Sequence, residues 1–356
     1  MKTILVGNHK GGCGKSAISR ILATGLADKQ INKTGATRVL YIEADPQGNT
    51  AIKVLNAAQL HQKKSLFQFY KNLSRLNNPE IGIDKLHKHV HTVKGDITED
   101  PTVWMLTACD PNKEVINFRY LEELLSSPAV LSIDQQTGTQ EQYPELSPRG
   151  FIKWHSCLYT ALQHLKEAFD YVVIDTPPGF SFITRSAAIA ADYYIIPVIP
   201  SGDAVTPDVE GVDQFITEIA HLNAMFTDYD VEKIVKKAPP VLLGCVFNKV
   251  GNNTMKIKGR LPKTDWTSWK LQRSREALVK ILKNITDRDI YKNSIPQKMV
   301  ILEWLGDATR KDTDTDMGFH TLYSIRYGTG NRYGPPPATQ CINFVKETLD
   351  RIVALG

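Results

Sequence analysis

Thr3-Ile4-Leu5-Val6, followed three residues later by Lys10-Gly11-Gly12-Cys13-Gly14-Lys15-Ser16, is an apolar run leading into a glycine turn bracketed by two lysines. Glycines 11, 12 and 14 free the backbone to take φ values that side chains disfavour, so successive N–H groups converge on one anion. Ile18, Ile21, Leu22 and Leu26 then recur at helical spacing, and a helix starting near Gly14 aims its positive end at the same place. In this setting of strand, turn and helix the run reads as a phosphate cradle. Lys15 would reach the β- and γ-phosphates, and the Ser16 hydroxyl would ligate Mg²⁺. The strict pattern G-x-x-x-x-G-K-[ST] needs glycine at position 9, where this chain has His9.

Two further apolar runs end in an acid. Val39-Leu40-Tyr41-Ile42-Glu43-Ala44-Asp45-Pro46-Gln47-Gly48-Asn49 reads as a short buried strand entering a loop, and Tyr171-Val172-Val173-Ile174-Asp175-Thr176-Pro177-Pro178-Gly179 reads the same way. In a parallel sheet the carboxyl ends of the strands face the ligand crevice, so acids there meet the metal and the attacking water.

Taken together, K-G-G-x-G-K-S, the D-P-Q-G-N stretch and the D-T-P-P stretch resemble the ParA/MinD family of SIMIBI-class ATPases, which carry a deviant Walker A loop. The chain is most similar to ParA/Soj-type partition ATPases without an N-terminal helix-turn-helix. The resemblance implies ATP and Mg²⁺ as ligands and a dimer that sandwiches two nucleotides, with Lys10 reaching the partner's phosphates. It places Asp45 on the water-activating switch I acid and Asp175 on the Walker B acid that orients the Mg²⁺ shell through water. The implied catalytic set is Lys10, Lys15, Asp45 and Asp175. The implied nucleotide contacts are Gly11, Gly12, Cys13, Gly14, Lys15, Ser16, Ala17, Asn248 and Pro296, with Ser16 on the metal and Asp45 and Asp175 reaching it through water. One departure stands out: the family's usual first aspartate of D-x-D-P-Q is Glu43 here.

For the base, Pro240 to Lys249 resembles the later strand whose terminal asparagine, here Asn248, contacts adenine in the family. GTPases use N-K-x-D, but the residue after Asn248-Lys249-Val250 is Gly251, so the guanine reader is missing and ATP is expected. Ser294-Ile295-Pro296 resembles the family's I-P loop over adenine.

The 356 residues are 42% apolar and 23% charged, as in an ordinary globular protein, and are enough to bury a sizeable core. No run of 18 apolar residues occurs, so neither a membrane span nor a signal peptide is expected. The five cysteines (Cys13, Cys109, Cys157, Cys245 and Cys341) are scattered without a C-x-x-C pair, which points to a reducing cytoplasm and away from zinc or disulfides.

Strands alternating with amphipathic helices predict an α/β fold, a doubly wound, mostly parallel sheet with helices on both faces, as one P-loop ATPase domain over 1–356. Asp45 and Asp175 lie 130 positions apart, and residues 56–98 and 126–150 read as insertions or surface loops. Val103 to Ala108 is expected as an intervening core strand, Phe151 to Phe169 as the crossover helix, and Ile195 to Pro200 as a further strand.

Residues 249–298 hold thirteen Lys or Arg against four acids, a local excess of nine that exceeds the +5 of the whole chain. Such a concentration is the footprint of phosphate-backbone binding. Lys270, Arg273, Arg275, Lys280 and Lys283 are the leading DNA contacts, and Trp266 and Trp269 within the run fit either stacking or core packing. Ile342 to Leu355 presents Phe344, Val345, Leu349, Ile352 and Val353 on one face. The charges opposite (Lys346, Glu347, Asp350, Arg351) sum to zero, which fits a closing helix on the sheet better than a membrane anchor.

The expectation is a cytoplasmic, nucleoid-associated ATPase that dimerises around ATP, binds DNA nonspecifically and hydrolyses slowly to drive plasmid or chromosome partition with a ParB-like stimulating partner. The alternatives are a nucleotide-gated binding switch with little turnover, or a positioning ATPase for a protein or membrane-associated cargo.

Overall fold

Apolar runs that are buried on both faces become parallel strands, because only a sheet covered by helices on each side can hide them. The computed structural model describes residues 1–29, 31–35, 37–75, 82–93, 103–126, 154–199, 207–228, 238–248, 276–278, 280 and 335–355. Among these, β1 (Lys2–Val6), β2 (Val39–Glu43), β3 (His91–Thr92), β4 (Val103–Thr107), β5 (Tyr171–Asp175), β6 (Tyr193–Val198) and β7 (Val241–Phe247) form one sheet in the order β3-β4-β2-β5-β1-β6-β7. Only β3, at one edge, runs antiparallel. The fold is therefore the doubly wound, mostly parallel sheet that the alternation predicts.

Side chains alternate between two cores, as the two-residue period of a strand requires. On one face, Ile4, Val6, Tyr41, Val173 and Ile195 pack against helix α1 (Lys15–Ala27). The partner of α1 there is helix α9 (Pro335–Leu355), through Ile342, Phe344, Val345, Leu349 and Ile352. Of the apolar face expected on this last helix, Val353 alone stays exposed, at 72%. The face thus goes into the core, and no helix among the described residues is long and apolar enough to cross a membrane.

The other face of the sheet buries Leu5, Leu40, Leu106, Val172, Ile174 and Ile196. Its helices are α4 (Leu66–Arg75), α5 (Val115–Ser126), α6 (Cys157–Gln163), α7 (Phe182–Ala190) and α8 (Pro207–Asp228). Two one-turn helices, α2 (Ala51–Val54) and α3 (Ala57–Leu60), follow β2. Part of segment 56–98 is more than a surface elaboration. Leu66, Phe67, Phe69, Tyr70 and Leu73 on α4 are buried, and the following 3₁₀ turn (Ile83–His89) adds Ile83 and Leu86. Its Lys, His and Asn content had masked an amphipathic helix with aromatics on one side. Residues 127–150 of the second expected insertion lie outside the described residues. So does most of 249–298.

Helices α1 and α9 meet at a glycine. A Cβ added at Gly25 would stand 2.4 Å from Val345 Cγ2, so the close approach depends on the missing side chain. Gly25→Val should therefore destabilise the protein by about 1–3 kcal/mol through overpacking. Denaturant unfolding checks this, and an unchanged midpoint would mean that α9 does not press on α1 in solution.

Candidate active site

β1 ends at Val6, and the eight residues that follow form a loop held from three sides. Asn8 Nδ2 donates to the Pro197 carbonyl at 2.7 Å, while Asn8 Oδ1 accepts from the Lys10 N–H at 2.9 Å. One side chain thus ties the loop to β6 and shapes its turn. Gly12 and Gly14 carry φ of +76° and +94°, in the left-handed region that favours glycine. Gly14 also begins α1 with no side-chain cap and no acid in the first turn, so the helix offers its open N–H groups to an anion. His9 takes the place of the strict motif's glycine by stacking on Phe180 (6.3 Å between ring centres) with Phe215 edge-on at 6.1 Å.

The Lys15 ammonium lies inside this loop. It donates to the Lys10 carbonyl at 2.7 Å and the Asn8 carbonyl at 3.2 Å, and the side chain is buried. Among the described residues no carboxylate stands in ion-pair range of it. A buried cation held by two carbonyl dipoles and the Cys13 sulfur fits a ligand that brings negative charge, and the residues present therefore suit a nucleotide phosphate. Cys13 is buried beneath the loop, its thiol donating to the Lys10 carbonyl at 3.4 Å, and burial pushes its pKa up.

Strand register lines up the acids. Asp175 pairs with Val6 on one side and with Glu43 on the other, so both acids sit at the carboxyl edge of the sheet and Asp175 neighbours the strand that leads into the phosphate loop. The Tyr41 hydroxyl donates to Asp175 Oδ2 at 3.1 Å, and the Ser19 hydroxyl lies 3.4 Å from Asp175 Oδ1. Burial raises the Asp175 carboxyl to about 6, with the Ser16 hydroxyl bonded to it acting the other way. Ser16 and Asp175 thereby supply a hydroxyl and a carboxylate side by side, a hard oxygen pair suited to Mg²⁺. Burial pushes the Tyr41 phenol well above its usual value, which keeps it a donor.

Asp45 is half-buried at the start of the next loop, its Oδ1 accepting from the Gln47 N–H at 2.9 Å. Glu43 does something else: its two oxygens accept from the backbone N–H groups of Thr50 (2.6 Å) and Ala51 (2.9 Å), capping α2. Asn248, expected at the adenine, follows β7 and is fully buried against the phosphate loop. Its Nδ2 donates to the Cys13 carbonyl at 2.9 Å, and a Cβ at Gly14 would meet that nitrogen at 1.8 Å. Ala17 sits half-buried in the first turn of α1 and Lys10 is half-buried beside the loop. Lys280 is exposed next to buried Leu278, whereas Pro296, Lys270, Arg273, Arg275 and Lys283 lie outside the described residues.

Sequence reasoning missed Asn8, Tyr41, Ser19 and Thr50. The available signals were a polar residue at a strand exit, a hydroxyl inside an apolar run, and a serine one helical turn after Ser16.

Glu43 is nearly fully buried, and burial lifts its carboxyl from 4.5 to about 8, only partly offset by the two N–H bonds. A carboxyl raised in the fold stabilises it while protonated; that contribution is complete below about pH 4.5 and is lost as pH rises through about 8. Relative to Glu43→Gln, which stays neutral, the nucleotide-free wild type should lose on the order of 1–3 kcal/mol of stability between about pH 5 and pH 9. A stability difference that stays flat in denaturant titrations across that range would mean that Glu43 ionises like an exposed carboxyl.

The AAA domain family matches residues 1–231, a span holding the phosphate loop and both acid-ended strands. The sporulation initiation inhibitor protein Soj of Bacillus subtilis (strain 168) is 28% identical over 239 residues, 66% of this chain and 71% of Soj. The chromosome partitioning protein ParA of Myxococcus xanthus is 27% identical over 197 residues, covering 55% of this chain but only 52% of that protein. Among solved structures, the ATP complex of Cyanothece McdA superposes with a TM-score of 0.56 at 17% identity, over 98% of this chain and 96% of McdA. The pnob8 ParA structure gives 0.53 at 15%, over 100% and 99% of the two chains. These two likenesses are of fold alone. With its loop, its acids and its sheet order all accounted for, the chain belongs to the AAA domain family as an ATPase of the ParA/MinD type.

Proposed function

We propose that the chain is a partition-type ATPase: two copies close around two ATP molecules, the closed pair binds DNA without sequence preference, and slow hydrolysis opens it again. The observation that carries the reading is the buried Lys15 ammonium, enclosed by carbonyl oxygens at the start of an uncapped helix and close enough to Asp175 to favour its charged form. A relative named for chromosome partitioning and the basic excess in 249–298 support the cargo side of it.

In this mechanism the loop N–H groups, the N-terminus of α1 and Lys15 hold the phosphate oxygens, and Lys10 of the second copy adds a cation at the same phosphates. Mg²⁺, bound by Ser16 and reached by Asp175 through water, would neutralise charge on the phosphoryl oxygens. Asp45 orients the water that attacks. Asn248, through the Cys13 carbonyl, fixes the loop from the base side of the site. A ParB-like partner would stimulate turnover, and the protein would work in the cytoplasm on the nucleoid. Residues 249–298 would supply the DNA surface, doubled when two copies pair.

Sizing by light scattering, with and without ATP, tests the core of this proposal. Lys10→Ala should still bind ATP yet remain a monomer, with hydrolysis down on the order of 10²-fold. A monomeric wild type with ATP, or a dimeric and active Lys10→Ala, would sink the sandwich. For DNA, Lys270→Glu and Lys280→Glu should each weaken binding of the ATP form equally on unrelated sequences. Each should also reduce the log–log salt slope by about one. Binding that ignores salt, or needs no ATP, would count against this surface; no turnover with tight ATP binding would leave a switch rather than an enzyme.

A further inference from the structure

Tyr41 is a hydroxyl-bearing residue in the middle of a fully buried strand. It stands opposite Val173 in the β2–β5 ladder, and Asp175 lies two residues further along β5, on the same face. The phenol therefore reaches diagonally across one strand gap to Asp175 Oδ2, at 3.1 Å. On its other side the same oxygen is 3.3 Å from the Thr50 hydroxyl. With Tyr41 donating to the carboxylate, the Thr50 hydroxyl is left to donate, either to Tyr41 or to the Glu43 carboxylate that it also bonds.

Thr50 is the far anchor of the loop that carries Asp45. The loop leaves β2 at Ala44 and returns at Thr50, where Glu43 grips the backbone through the Thr50 and Ala51 N–H groups. Gly48 turns the chain at φ +60°, and the Gly48 N–H donates to the Asp45 carbonyl at 3.1 Å. Two side chains on one face of β2 thus hold Thr50, Tyr41 by its hydroxyl and Glu43 by both its amide and its hydroxyl. The first of them also touches the acid beside the phosphate loop.

We infer that Tyr41 is a positioning residue that couples Asp175 to the Asp45 loop through Thr50, so that the water-orienting loop is ordered only when the Asp175 end of the line is in place. This rests on the ATPase reading above and deepens it, because it assigns the coupling between the metal-side acid and the water-side acid to a buried phenol. The ring itself contributes packing, being fully buried against the α1 side of the sheet. Its hydroxyl is what carries the coupling.

Tyr41→Phe keeps the ring and removes only that oxygen, and Thr50→Val does the same at the next link. Amide hydrogen exchange of residues 44–51 in the nucleotide-free protein reads the coupling without any turnover. Both variants should exchange about fivefold to tenfold faster there, the loss expected for one buried hydrogen bond. The double variant should add little to either single change. In steady-state hydrolysis, kcat should fall by a similar factor while ATP affinity, measured by calorimetry, stays within about twofold, the split expected when positioning rather than binding is lost. Unchanged exchange at 44–51 overturns the inference even if kcat falls, since Tyr41 would then act on Asp175 alone. Additive effects of the two changes overturn it as well. A wild type without ATPase activity would sink the proposed function, whereas the exchange measurements would still decide the coupling.

Discussion

Three ionisable side chains, Lys15, Glu43 and Asp175, are buried within one short stretch of the sheet's carboxyl edge. Taking a charge out of water costs several kcal/mol unless hydrogen bonds or opposite charge replace the lost solvent. Each of the three is satisfied differently. Lys15 has carbonyl oxygens of its own loop, Asp175 has the hydroxyls of Tyr41 on β2 and Ser19 on α1, and Glu43 has two backbone amides. The loops at this edge take the shapes that these partners demand. Asn8 and Asn248 complete the arrangement by bonding the phosphate loop to β6 and to the end of β7.

Everything else in the sheet serves to keep that edge level. Val6, Glu43 and Asp175 come into line because β1, β2 and β5 pair in parallel with no slip between them. Arg38 fastens the opposite edge, its guanidinium 2.8 Å from Asp170, whose carboxyl that bond holds below the usual range. This pair is exposed and contributes little to stability. It fixes where β2 begins relative to β5.

Much of this was legible in the sequence wherever an apolar run met a charged or glycine-rich stop. The strands carrying Lys15's loop, Glu43 and Asp175, the intervening strand at Val103, and the apolar face of α9 are all of that kind. What was not legible depends on long-range geometry. That Asn248 would press on Gly14, or that Glu43 would turn away to cap α2, follows from how β7 and β2 sit beside the loop, and no local pattern encodes it. Helix α4 was hidden for another reason: its outward lysine and asparagine outweigh, in composition, the buried Phe67, Phe69 and Tyr70 that define its inner face.

β1 is the first strand in sequence, yet it lies deep within the sheet, with β5 on one side and β6 on the other. Its hydrogen-bonding partners begin at Tyr171. At ordinary synthesis speeds a ribosome therefore needs on the order of ten seconds or more to supply them. Until then both edges of an apolar strand are open to wrong pairing, and the phosphate loop at its end has neither Pro197 nor Asn248 to shape it. The phosphate loop of a nascent chain therefore waits for residues far downstream before its shape is held. The element that reads first is among the last to become usable.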